Sequence, residues 1–128
     1  MKINEILAII LVIAATAGVV LGAYAYENYR KGRVYDLELI ARAPENGNWY
    51  PKKIRVSEGE EVRILIRNID TVTHGFIIPD FSVSIDELKA GGAKIIKFTP
   101  DKKGTFAFMC TVWCSENHLQ MRGVIIVE

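Results

Sequence analysis

The sequence predicts an all-β domain, a Greek-key β-sandwich, preceded by one N-terminal transmembrane helix. Three observations support this prediction. Residues 6–26 contain no charged side chain, short segments rich in β-branched and aromatic residues recur through the rest of the chain, and turn-forming residues separate those segments. A chain of 128 residues has room for the helix and one domain of ordinary size.

The uncharged stretch 6–26, ILAIILVIAATAGVVLGAYAY, predicts a membrane anchor. As an α-helix it would be about 31 Å long, enough to cross a hydrocarbon core of about 30 Å. Tyr24, Tyr26 and Tyr29 follow where interfacial aromatic side chains are typical. A secretory signal peptide is the alternative, because the Ala-Tyr-Ala triplet at 23–25 resembles a cleavage site. The apolar stretch exceeds the usual signal-peptide length of about 7–15 residues, which favours an uncleaved anchor.

These patterns divide the chain into residues 1–32, an anchor helix with a linker, and residues 33–128, the β-domain. The polar stretch 27–33, ENYRKGR, is predicted to be the linker. Basic residues favour a cytoplasmic domain by the positive-inside rule, because one precedes the helix and three follow it: Lys2, then Arg30, Lys31 and Arg33.

Seven segments have strand-like composition, at 34–43, 52–56, 61–69, 74–79, 93–99, 105–110 and 123–128. In the third, EVRILIR, the residues Val62, Ile64 and Ile66 alternate with Arg63, Leu65 and Arg67. Such alternation is typical of a half-buried strand. The helix-like stretch SIDELKAG is short, and it is not assigned as a helix. Seven or eight strands in fewer than about 100 residues indicate a Greek-key sandwich.

The charge balance of the domain limits its partners. Residues 33–128 contain 13 Lys+Arg and 13 Asp+Glu, so their formal net charge is zero. A nucleic-acid-binding domain would show a basic surplus, and a neutral domain gives little long-range steering of a charged partner.

Soft metal donors are concentrated in one short stretch, CTVWCSENHLQM, at 110–121. Its cysteines alone would fit a disulfide in an exported protein. Together with two histidines they would fit zinc, although zinc does not use a thioether and its usual finger spacings differ. Met121 alone would fit core packing. Thiolate, thioether and imidazole together favour copper, and one cysteine more than a mononuclear blue-copper site needs indicates two metal ions.

The pattern of His74 followed by Cys-x3-Cys-x3-His-x2-Met at 110–121 resembles the binuclear CuA copper centre of cytochrome oxidase subunit II and of nitrous oxide reductase. The resemblance covers about residues 50–128 and implies a cupredoxin-like domain that holds two copper ions. The ligands it implies are two cysteines, two histidines, one methionine and one backbone carbonyl: Cys110, Cys114, His74, His118, Met121 and Val112.

The resemblance also implies a role for each ligand. The two cysteine thiolates would bridge the copper ions. His118 and the carbonyl of Val112 would complete one copper site, and His74 and Met121 the other. Many oxidase subunits have a glutamate where this chain has Val112, so no carboxylate ligand is expected.

Two further departures concern the second cysteine and the first histidine. Ser115, directly after the second cysteine, stands where the family usually has a glycine. Thr71, three residues before the first histidine, stands where an aspartate is common, and the aspartate of this chain, Asp70, is displaced by one position. The stretches NIDTVTHGF and CTVWC are similar to nitrous oxide reductase.

From this resemblance we expect subunit II of a haem–copper terminal oxidase. It would accept electrons from cytochrome c or a small blue-copper protein and pass them to haem in a separate catalytic subunit, with no catalysis on this chain. The alternative is a stand-alone anchored CuA protein that serves another reductase or delivers copper. Both place the copper domain on the extracytoplasmic side of the cell membrane, because the family's electron donors are found there, and this expectation overrides the count of basic residues around the helix. Trp49, Tyr50, Phe76 and Trp113 are candidates for a surface that receives electrons, with core packing as the alternative.

Overall fold

The computed structural model describes residues 1–32 and 34–128. It divides the chain into two compact units, Met1–Val34 and Tyr35–Glu128. Arg33, the last residue of the predicted linker, lies outside the described residues.

The first unit is a single helix, α1 (Ile3–Lys31). By length and composition its stretch Ile3–Arg30 is long and apolar enough to cross a membrane. The helix extends beyond the predicted 6–26 at both ends, so most of the predicted linker is helical. An ion pair between Arg30 and Glu27, with 3.1 Å between nitrogen and oxygen, links successive turns there. Polar composition alone therefore misplaced the end of this helix.

The second unit is a β-sandwich of eight strands: β1 (Leu37–Ala41), β2 (Lys53–Val56), β3 (Val62–Asn68), β4 (His74–Ile78), β5 (Val83–Leu88), β6 (Ala93–Phe98), β7 (Gly104–Met109) and β8 (Arg122–Val127). One sheet has the order β1-β3-β6 and the other β2-β8-β7-β4-β5. Both sheets are mixed, because β1 pairs with β3 and β2 with β8 in parallel, whereas the other pairs are antiparallel. The sandwich is confirmed.

Strand β3 shows how the core is built. Val62, Ile64 and Ile66 face inward and are buried, as their alternation predicts. The next inward position holds a polar residue, Asn68, which is also fully buried. Its side-chain amide donates to the carbonyls of Val72 and Leu88 at 2.7 and 2.8 Å. A buried polar group needs such partners, and these anchor the chain just before β4.

Strand β5 occupies most of the stretch with the helix-like pattern. Its buried residues, Ile85 and Leu88, are three positions apart, a spacing that suggests a helix. The cause is a bulge in the pairing with β4, where His74 pairs with Leu88 but Phe76 pairs with Ile85. The extra residue on β5 changes the face on which later side chains lie.

Candidate metal centre

The predicted ligands meet at one end of the larger sheet. His74 is the first residue of β4, Cys110 directly follows β7, and Met121 directly precedes β8. Because β7 is antiparallel to both β4 and β8, the start of β4, the end of β7 and the start of β8 lie side by side. The hydrogen bond from the Cys110 amide to the Met121 carbonyl, at 3.1 Å, closes the loop between them.

The two cysteines are free thiols, and both are buried, with 6% and 9% of their surface exposed. One ligand atom each from His74, Cys110 and Cys114 lies within 4.8 Å of the other two. Three soft or borderline donors so close together, shielded from water, form a site suited to a thiophilic metal.

Each thiol has its own histidine. The Sγ of Cys110 lies 3.8 Å from Nδ1 of His74, and the Sγ of Cys114 lies 3.5 Å from Nδ1 of His118. His74 is fully buried. The same Cys114 Sγ lies 3.7 Å from the Sδ of Met121, which is also fully buried.

The predicted carbonyl ligand is also in place, since the Cys110 thiol donates to the Val112 carbonyl oxygen at 3.2 Å. The structure thus brings together all six residues identified from the sequence. Their role as ligands belongs to the proposal below.

Burial shifts the pKa values of two groups in the cluster. Burial, followed by the nearby Cys110, raises the pKa of the Cys114 thiol to about 12, so at neutral pH this thiol keeps its proton. A bound metal must displace that proton. Burial lowers the pKa of His74, which favours the neutral imidazole that binds metals.

Asp70, which the sequence analysis noted only as a displaced aspartate, lies against the predicted ligand His74. Its Oδ2 lies 3.3 Å from Nε2 of His74, and it also accepts hydrogen bonds from the amides of Ala43 and Thr71 and from the Asn46 side chain. Burial raises the pKa of the Asp70 carboxyl, but these hydrogen bonds outweigh it and hold the pKa below its usual value. A carboxylate on the second nitrogen of a ligand histidine fixes the orientation of the ring.

The signal for Asp70 was present but displaced in sequence. Asp70 is four residues before His74, one position earlier than the family pattern. The Asp70 amide bonds to the side-chain oxygen of Asn68 at 2.9 Å, and this turn brings the carboxylate back to the histidine. Sequence spacing does not show such a turn.

Gly75 allows the close approach of the loop that follows β7. Its amide donates to the Sγ of Cys110 at 3.4 Å. A Cβ at this position would lie 2.1 Å from Oγ1 of Thr111 and 3.1 Å from a methyl group of Val112. Only glycine fits between β4 and this loop without displacing it.

The aromatic candidates separate by burial. Trp49 and Phe76 are buried with Phe108, and their ring centroids lie 5.6–5.7 Å apart, so both pack the core. Trp113 is 71% exposed, and its ring centroid lies 5.6 Å from that of His118. Tyr50 is also exposed, at 63%, and Trp113 is the exposed candidate whose ring lies beside a predicted ligand.

The donor set fits copper. Two thiols, a thioether and two imidazoles are the ligand types that copper accepts, whereas zinc sites are built without the thioether. A β-sandwich that carries such a buried, sulfur-rich cluster at one end defines a small copper protein. The whole domain matches the family described as Cupredoxin-like domain over residues 10–127, and the chain belongs to this family.

The chain is related in sequence to two kinds of protein, nitrous-oxide reductases and a subunit 2 of a cytochrome c oxidase. It is 32% identical over 103 residues to a nitrous-oxide reductase of Cupriavidus necator, which covers 78% of this chain and 15% of that protein. It is 33% identical over 84 residues to an alternative cytochrome c oxidase subunit 2 of Bradyrhizobium diazoefficiens, which covers 66% of this chain and 28% of that protein. The chain therefore spans less than a third of the length of either relative.

Among solved structures, one chain of a heme-copper terminal oxidase dimer aligns with a TM-score of 0.58 and 19% identity, over 99% of this chain and all of that chain. This likeness supports the fold. Taken with the family and the cluster, the protein is a copper-binding domain of the cupredoxin type, related to nitrous-oxide reductases and oxidase subunits II.

Proposed function

We propose that the chain is a membrane-anchored electron-transfer protein with a binuclear copper centre of the CuA type, and that it serves as subunit II of a haem–copper terminal oxidase. The observation that carries this proposal is the pair of buried free thiols, each with its own histidine at 3.8 or 3.5 Å. A mononuclear site of the blue-copper type uses one cysteine and two histidines, so it would leave one of the two buried thiols without a role.

Cys110 and Cys114 would hold both metal ions as thiolates, each giving up its proton on binding. Val112 and His118 would complete the set of ligands for one ion, and His74 and Met121 for the other. When bound, the paired copper ions supply a one-electron redox couple. The negative thiolates offset the metal charge, which lowers the cost of burying the centre.

Burial favours electron transfer over catalysis. His74 and Met121 are fully buried, and both thiols are more than nine-tenths buried, so a substrate has no open approach to these donors. A catalytic metal site keeps an open position for water or substrate. An electron needs no such opening, and a rigid dry site changes little when its charge changes. Oxygen reduction would then take place in the separate haem-bearing subunit.

We further propose residues 1–32 as the anchor region and residues 33–128 as the copper domain, on the extracytoplasmic side of the cell membrane. The apolar helix supports the anchor. The electron donor would be cytochrome c or a small blue-copper protein. Protease added to intact spheroplasts should cleave the domain; full protection of the domain would contradict this placement.

Metal analysis and electron paramagnetic resonance on the full chain in detergent test the copper proposal. We expect two coppers per chain and hyperfine structure from one unpaired electron shared equally between two copper nuclei. One copper with a localised signal, or zinc in its place, would exclude the binuclear centre.

A stand-alone anchored carrier is the second candidate. It is favoured by relatedness to nitrous-oxide reductases and by Val112, which supplies no carboxylate where many oxidase subunits have one. Gentle solubilisation and affinity purification of the chain distinguish the two functions. A haem-bearing polytopic subunit should co-purify if the chain is an oxidase subunit, whereas a stand-alone carrier should purify without haem.

Trp113 should set the rate at which electrons arrive. Its exposed ring contacts His118, so a donor that packs on the indole lies close to a ligand of the centre. Exposed tryptophans at interface centres commonly contribute about 2 kcal/mol to binding. We therefore expect Trp113→Ala to lower the second-order rate constant for reduction by cytochrome c by about 10- to 30-fold in stopped-flow experiments.

Leu119→Ala is the matched control, because Leu119 is 70% exposed in the same loop but carries no aromatic ring. The control should change this rate less than Trp113→Ala does. Copper content and the resonance spectrum should stay unchanged in both variants. Equal rates for wild type and Trp113→Ala would exclude a role for Trp113 in accepting electrons.

A further inference from the structure

Residues 43–49, Ala-Pro-Glu-Asn-Gly-Asn-Trp, lie between the two loops that carry the proposed ligands. We call them the 43–49 segment. It contains a short 3₁₀ helix, Pro44–Asn46, and contributes no ligand. Its hydrogen bonds nevertheless reach both loops.

One set of bonds holds the loop before His74. The Ala43 amide donates to Oδ2 of Asp70 at 2.7 Å, and the Asn46 side chain donates to Oδ1 at 3.1 Å. Asp70 in turn lies against Nε2 of His74. The segment thus fixes the carboxylate that orients the histidine, and Nδ1 is left to face Cys110.

A second set of bonds holds the loop that ends at Met121. The Asn48 side chain donates to the Gln120 carbonyl at 2.9 Å, and Nε1 of the Trp49 indole donates to the Met121 carbonyl at 3.2 Å. Further out, the Asn117 side chain donates to a carboxylate oxygen of Glu45 at 2.6 Å.

The segment is built to keep this shape. Gly47 has a φ of 123°, which favours glycine, and Asn48 has a φ of 64°, which asparagine tolerates better than most residues. The Asn48 amide donates to the Ala43 carbonyl at 3.1 Å, and its side-chain oxygen accepts from the Trp49 amide at 2.8 Å. Asn48 is only 6% exposed, and both ends of its side-chain amide are hydrogen-bonded.

We propose that the 43–49 segment is a positioning element that holds the two ligand loops at a fixed separation before any metal binds. The ligands come from strand ends far apart in sequence, and their own contacts within the cluster are few and long. Bonds from one segment to both loops supply the missing restraint. This inference rests on the proposed metal centre.

The test compares Asn46→Ala and Asn48→Gly with wild type, using the full chain in detergent. Neither residue touches a proposed ligand side chain in the described contacts, and glycine retains the backbone conformation of position 48. Ser82→Gly is the matched control, because Ser82 has a φ of 54° beyond the other end of β4, away from the site.

Two measurements are needed. Amide hydrogen exchange of the metal-free protein reports the loops, through the Cys110 amide that donates to the Met121 carbonyl. Competition with a copper chelator reports the affinity for copper. We expect faster exchange at Cys110 in Asn48→Gly, and faster exchange at Ala43, whose amide donates to Asp70, in Asn46→Ala. Both variants should lose copper affinity by about 10- to 100-fold. The Ser82→Gly control should match wild type in both measurements.

Unchanged exchange and unchanged affinity would overturn the inference. Faster exchange spread over all strands would also overturn it, because the segment would then support the fold in general. Hydrogen exchange of the metal-free protein does not depend on whether the proposed binuclear centre forms. If wild type binds a single copper, the binuclear centre fails while the exchange result still decides the role of the segment.

Discussion

Cys110→Ser and Cys114→Ser should each abolish the two-copper centre, leaving one copper per chain or none. A hydroxyl is close in size to a thiol but is a hard donor, and copper bound by soft sulfur does not accept it as a bridge. The shared-electron hyperfine pattern should disappear in both variants. Metal analysis and electron paramagnetic resonance on the full chain check this.

Comparing the Cys110→Ser and Cys114→Ser variants with each other tests whether both sulfurs bridge. If both sulfurs bridge, the two variants lose the centre alike. If only one cysteine is a ligand, one variant will keep the wild-type copper content and spectrum, and the bridge is excluded. Far-ultraviolet circular dichroism is the control for folding, and it should be the same in all three proteins because a buried thiol of this kind is replaced with little change in volume.

Gly75→Ala should both destabilise the domain and disturb the centre. The new Cβ would lie 2.1 Å from Oγ1 of Thr111 and 3.1 Å from a methyl group of Val112, so the loop beyond Cys110 must move away from β4. Overpacking of this kind costs about 1–3 kcal/mol. The free energy of unfolding of the metal-free protein, from denaturant titration, should fall by that amount, and copper binding should weaken.

Thr111→Ala provides the control for the Gly75 variant. Thr111 is exposed, and its replacement alone should change stability little. In the double variant the severe contact with Oγ1 is gone, so we expect partial recovery of both stability and copper binding. A Gly75→Ala protein as stable as wild type would show that the loop yields freely. The proposed fit between β4 and the Cys110 loop would then be wrong.

Much of the site could be predicted because five of its six residues lie in one short loop, at 110–121. Cysteine, histidine and methionine at such spacing are rare together, and their shared softness indicates copper without knowledge of the fold. Strand β3 could also be predicted, because its alternation of buried and exposed residues follows from the geometry of a single strand. The N-terminal helix was predicted from the length of its apolar stretch. Its end at Lys31 was not predicted, because the polar residues that follow the apolar stretch continue the backbone hydrogen bonds of the helix.

Pairing between strands distant in sequence decided where His74 lies and how β5 is exposed. Only the sheet order places the start of β4 beside the end of β7, and so His74 beside Cys110. The bulge in β5 gave a strand the periodicity of a helix, because the register between two strands is not a property of either one.

The sequence by itself determined the apolar N-terminal helix, the strand-rich domain and a donor set suited to copper, because hydropathy, alternation and donor softness are local properties. The tertiary structure alone decided which tryptophan is buried and which is exposed, how Asp70 reaches His74 from a displaced position, and that the 43–49 segment joins both ligand loops. Those are contacts between residues distant in sequence, and they form only when the two sheets pack and bring the strand ends together.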